Sequence, residues 1–98
     1  MSDIVKEFND YRSKMNEKLL ADNNKVIKRI FNVDTNAYME GALDVKTKEL
    51  LGLVASAVLR CDDCIKYHLE TAHKIGVTKE EMMESMGIAT LVDRKSVV

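Results

Sequence analysis

Val45-Lys46-Thr47-Lys48-Glu49-Leu50-Leu51-Gly52-Leu53-Val54-Ala55-Ser56-Ala57-Val58-Leu59-Arg60 is the stretch that decides the fold. Asp44 supplies an N-cap, so a helix is expected from Val45 to about Arg60. Its second half is apolar nearly all round, and a helix with so little polar surface belongs at the centre of a bundle. The greasy run from Leu50 to Leu59 is broken only by Gly52 and Ser56 and is far shorter than the ~20 residues that cross a bilayer. Glu49 stands at the start of that run. On pattern alone it reads as an acidic residue near a helix start, which the dipole favours. The functional reading sets it beside His68 across two packed helices, orienting the imidazole.

Helical periodicity recurs on both sides of the central segment. Ile4, Phe8, Tyr11, Met15 and Leu19 step by four or three, giving one amphipathic helix capped by Ser2 or Asp3. A second stretch runs from about Asn23, with Val26, Ile27, Ile30 and Phe31 on its apolar side. It is expected to break at Asn32 to Asn36 and to resume around Tyr38. Gly41 marks a turn. After the two cysteines a helix is expected to about Ile75, with Gly76 as its stop. Thr78 and Glu81 form a capping box for the last helix, which carries Met82, Met83, Met86, Ala89 and Leu91. No proline occurs, and no segment alternates long enough for a sheet. The expected architecture is an all-α bundle of about five to six helices in a single domain spanning 1–98.

Composition narrows the partners. The chain has 98 residues, 46% of them hydrophobic, with five aromatics. A domain this small buries a modest fraction of its surface, so the aliphatic surplus points to burial against other subunits. Fifteen basic and sixteen acidic side chains are spread evenly, for a net charge of −1. No basic block marks a nucleic-acid partner, and no stretch marks a membrane span. The start, Met1 to Glu7, lacks the apolar core of a signal peptide, so a soluble, cytoplasmic protein is expected, with Cys61 and Cys64 reduced at rest.

Cys61-Asp62-Asp63-Cys64 and His68 carry the chemistry. At about 100° per residue, Cys61, Cys64 and His68 share an arc of roughly 60° on one helix face. Cys64 and His68 are i and i+4, and two thiols three apart at a helix start can close a disulfide with little backbone movement. A helix N-terminus favours thiolate at Cys61, a neighbouring imidazole favours it at Cys64, and Asp62 and Asp63 oppose both. Local physics leaves the nucleophile undecided. Three plainer readings compete: two ordinary buried cysteines, a zinc site of Cys61, Cys64 and His68 with a fourth ligand such as Glu49, and His68 as a surface histidine. His73, five residues on, lies on a different face and is expected in solvent.

Glu49, eleven residues, Cys61-x-x-Cys64, three residues and His68 together resemble the signature of the carboxymuconolactone decarboxylase superfamily, in its AhpD-like, alkyl-hydroperoxidase branch. Gly41-Ala42-Leu43-Asp44, Lys46-Thr47-Lys48-Glu49-Leu50, Tyr67-His68 and Gly76-Val77-Thr78-Lys79-Glu80-Glu81 agree with it, so the likeness covers about residues 38 to 91. The resemblance implies an all-α fold packing as a homotrimer or homohexamer, with the site near subunit contacts. It implies a thiol-dependent peroxidase or disulfide oxidoreductase for antioxidant defence. In it, Cys64 attacks the hydroperoxide, Cys61 resolves, His68 relays the proton and Glu49 supports His68. It further implies no cofactor beyond a redox-active Cys61–Cys64 disulfide, and a dithiol or thioredoxin-like reductant. Two alternatives stand beside it. One is a lyase acting on a small lactone acid, with Arg60 and Lys66 to hold the carboxylate. The other is a zinc-bound or plain oligomeric module.

Overall fold

The computed structural model describes residues 3–93, and among these there are five helices and no strand. They are α1 (Asp3–Ala21), α2 (Lys25–Ala37), α3 (Val45–Leu59), α4 (Asp62–Lys74) and α5 (Lys79–Val92). The fold is all-α. The chain divides into two compact units, the first ending at Tyr38 and the second beginning at Met39.

The first unit holds α1 and α2. Asp3 is the first helical residue of α1, and the proposed Ser2 cap lies outside the described residues. Asn23, in the left-handed region at φ 57, reverses the chain between the helices. Asn24 then caps α2, its side chain accepting from the amides of Val26 and Ile27 at 2.9 and 3.1 Å. Contrary to the sequence expectation, α2 runs unbroken through Asn32 to Asn36 and no helix resumes at Tyr38, which is its C-cap. The asparagines support the helix that they were expected to interrupt, because Asn36 Nδ2 donates to Asn32 Oδ1 one turn back at 3.2 Å. No residue of α1 or α2 is buried.

The second unit is three helices with α3 in the middle, packed against both α4 and α5. Asp44 caps α3 as expected, Oδ1 accepting from the Thr47 amide at 2.8 Å. A hydrogen bond with the Thr47 side chain, followed by that amide bond, holds the Asp44 carboxyl below its ordinary value. Leu53 is fully buried and Ala72, Val77 and Ala89 complete the apolar core. Full burial of a leucine contributes about 2 kcal/mol. Gly76, at φ 88, takes the left-handed stop after α4, a conformation that costs a side-chain-bearing residue far more than glycine. The Thr78–Glu81 capping box is present, with reciprocal bonds of 2.8 and 3.1 Å. The bond from the Thr78 backbone is the main cause of a lowered Glu81 carboxyl.

The all-round greasiness of α3 is only partly used. Leu53 and Ser56 are buried, whereas Leu51 and Leu59 are 54% and 79% exposed. Among the described residues, no helix is long and apolar enough to cross a membrane.

Candidate functional site

The site is built where α3 ends and α4 begins. Arg60 caps α3 in the left-handed conformation, φ 59 and ψ 38, which costs a residue with a Cβ about 1–2 kcal/mol. This single residue turns the chain through the elbow. The amide of Cys61 then donates back to the Ser56 carbonyl at 3.1 Å. Cys61 is itself the N-cap of α4, and its sulfur accepts from the Cys64 amide at 3.3 Å. The thiol thus occupies the place of a serine or aspartate cap, aimed at the free amides of the first turn.

Cys61 and Cys64 are joined as a disulfide with Cα atoms 5.2 Å apart. This separation lies inside the range that a disulfide bridges without distortion of the backbone. Cys64 is exposed and Cys61 half-buried. Both cysteines therefore lie in the electropositive first turn of α4, with one reaching solvent. Asp62 and Asp63 are exposed there as well, so water screens their effect on the sulfurs.

Glu49 and His68 meet between α3 and α4. Nδ1 of His68 lies 2.8 Å from Oε2 of Glu49, and both residues are more than nine-tenths buried. The plain reading of Glu49 as a helix-start acid therefore fails, and the reading that pairs it with His68 describes its position. His68 is likewise no surface histidine, since it is 8% exposed. Tyr67 sets its ring edge-on to the imidazole with centroids 5.1 Å apart. His73 is exposed near the end of α4, as expected. Ionisable groups are seldom taken out of water unless paired, so burial of this couple indicates a geometry maintained at some cost.

Two groups bear on the alternatives. Among the described residues, no set of three or more His, Cys, Asp or Glu side chains is placed to hold a metal ion. Arg60, a candidate for gripping a substrate carboxylate, grips Asp93 instead. Its Nε and Nη2 make three bonds to the Asp93 carboxylate at 2.9 to 3.1 Å. Nothing in the sequence around Asp93 marks this role. It lies 33 residues from Arg60 with no local pattern to connect them.

Residues 24–95 match the carboxymuconolactone decarboxylase family. The chain belongs to that family. Among solved structures of the family's fold, a Thermotoga maritima protein is 51% identical with a TM-score of 0.87, over 90% of this chain and 77% of its own. A carboxymuconolactone decarboxylase family protein of Legionella pneumophila is 27% identical with a TM-score of 0.83, over 93% and 81%. Among curated proteins, an alkyl hydroperoxide reductase AhpD of Corynebacterium aurimucosum is 33% identical over 64% of this chain and 36% of its own length. An uncharacterised protein of the Paracoccus denitrificans cox locus is 36% identical over 53% and 47%. The chain thus spans between a third and a half of the curated relatives that it matches. It is an AhpD-like member of the carboxymuconolactone decarboxylase family.

Proposed function

We infer that this chain is a thiol-dependent peroxidase or disulfide oxidoreductase, with Cys64 as the attacking thiol and Cys61 as the resolving one. The observation that carries the reading is the buried Glu49–His68 pair, whose histidine lies on the helix that begins at the bridged cysteines. A carboxylate only accepts hydrogen bonds, so Nδ1 of His68 donates to Glu49 and the ring's lone pair lies on Nε2. His68 lies one turn from Cys64, the i, i+4 spacing from which an imidazole takes the thiol proton, directly or through a water. The thiolate attacks the terminal region of a hydroperoxide, breaking the O–O bond. One oxygen stays on sulfur as sulfenic acid, and the other leaves as the alcohol once protonated. The Cys61 thiol then displaces the sulfenic oxygen, releasing water and closing the disulfide. A dithiol or thioredoxin-like reductant returns two electrons and two protons, as the reducing cytoplasm supplies them.

Relatives support this reading. The AhpD proteins are named as alkyl hydroperoxide reductases. For the same Thermotoga maritima protein, whose second structure is 49% identical to this chain, an involvement in antioxidative response has been suggested. The exposed apolar surface of the helices supports assembly as a homotrimer or homohexamer.

The test is to trap the intermediate. With Cys61→Ser, one equivalent of hydroperoxide leaves Cys64 as a sulfenic acid that a dimedone probe captures, identified by peptide mass. With Cys64→Ser, Cys61 gives no adduct and turnover stops. Labelling of Cys61 in place of Cys64 overturns the assignment of roles, and no labelling in either variant overturns the peroxidase.

A further inference from the structure

We propose that the Arg60–Asp93 ion pair is a positioning device for the cysteine couple, holding the α3–α4 elbow so that Cys61 stays within reach of Cys64. The inference rests on the thiol-redox reading above and assigns it two further residues, neither of which touches substrate.

Four observations converge on the elbow. Arg60 holds a strained left-handed conformation in which glycine or asparagine would sit more easily, so its side chain has a use there that theirs would not serve. That use is a forked grip on Asp93, the C-cap of α5, with three hydrogen bonds to one carboxylate. The next residue, Cys61, opens α4: its amide donates to the Ser56 carbonyl, its carbonyl accepts from the Ile65 amide at 2.9 Å, and its sulfur accepts from the Cys64 amide. Beneath the grip, packing gives way to a cavity of about 210 Å³, lined by Ala57, Ile65, Met86, Ala89, Thr90 and Asp93. The ion pair ties the elbow to the end of α5, the helix that supplies Met86, Ala89 and Thr90 to the wall of that cavity.

An ion pair with its arginine 62% exposed adds little to overall stability, so its effect is on geometry. Closing a disulfide depends on how concentrated one sulfur is at the other. Loosening the residue before Cys61 dilutes it and shifts the balance towards the dithiol.

The experiment equilibrates the full chain with mixtures of reduced and oxidised dithiothreitol, quenches by alkylation and reads the disulfide fraction by intact mass. Two electrons and two protons pass from the Cys61 and Cys64 thiols to the cyclic dithiothreitol disulfide, leaving the protein disulfide and free dithiothreitol. Arg60→Asn keeps a residue at ease in the left-handed region but cannot reach Asp93. Asp93→Asn removes the charge from the other helix and leaves the elbow backbone untouched. Compared at the wild-type helical circular dichroism signal, each lowers the equilibrium constant for disulfide formation by about threefold or more. The exchanged pair, Arg60→Asp with Asp93→Arg, recovers most of it, and raising the salt lowers the wild-type constant while leaving the single variants unmoved. Single variants within that threefold margin, or losses that the exchange does not recover, overturn the proposal. Peroxide plays no part in this equilibration. Wild-type protein that equilibrates with dithiothreitol but ignores hydroperoxide therefore counts against the peroxidase alone.

Discussion

The Glu49 carboxylate is held almost wholly out of water against an imidazole, and it reaches His68 from 19 residues away in the chain. Removing its charge while keeping its shape tests what it does. Glu49→Gln leaves a hydrogen bond available to His68 but no longer fixes which ring nitrogen carries hydrogen. The expected result is a roughly 10²-fold slower oxidation of Cys64 by hydroperoxide in stopped-flow. Glu49→Ala leaves the buried Nδ1 donor of the histidine without its partner and costs about 1–3 kcal/mol of stability in urea titration. At this scale the sequence was informative about spacing and silent about distance. The i, i+4 relation of Cys64 and His68 and the three-residue step between the cysteines are properties of one helix, so they could be read directly. The pairing of Glu49 with His68 depends on how α3 packs on α4; residue pattern alone offers it only beside the plain helix-start reading, and the spacing from Glu49 to His68 shared with the family is what singles it out. Arg60 and Asp93 were harder still, since left-handed Arg60 gives no compositional signal and its partner lies on α5.

Helix ends are where the sequence spoke most clearly, because a cap is a local hydrogen bond between residues three apart. Asp44, the Thr78–Glu81 box and the Gly76 stop all stand where the residues put them. The uninterrupted α2 shows the opposite case. Asparagines favour turns one at a time, yet spaced by four they bond along a helix face, and that contact outweighs their individual preference. Two results follow for the caps. Thr78→Ala destabilises the fold by about 1 kcal/mol in thermal or urea unfolding. The carboxyls of Asp44 and Glu81 are both held below their ordinary values by bonds to Thr47 and Thr78 respectively. Their contribution to stability is therefore complete above the unfolded-state values and is lost as pH falls through the lower folded-state ones. Asp44→Asn and Glu81→Gln should each flatten the fall in stability on acidification, measured by urea midpoints from neutral pH downwards. An unchanged acid slope in both would show that the caps do not hold these charges.

At the scale of the whole molecule, the four buried apolar residues among those described make a small core for a chain that is 46% hydrophobic. Ile4 and Tyr11 on α1, Leu51 and Leu59 on α3, and Met83 and Leu91 on α5 all remain well exposed. Proteins that work as monomers seldom leave so many large apolar side chains in water. Light scattering at micromolar concentration is expected to give a trimer or hexamer, and a monodisperse monomer would refute the proposed assembly. The central claim is narrower than assembly: the two cysteines act as one redox couple driven by peroxide. It is met most directly by titrating free thiols and weighing the intact chain before and after one equivalent of hydroperoxide at neutral pH. The expected result is two free thiols per chain falling to none, with a loss of about 2 Da for a single internal disulfide. Two thiols still titratable after peroxide, at unchanged mass, would contradict it.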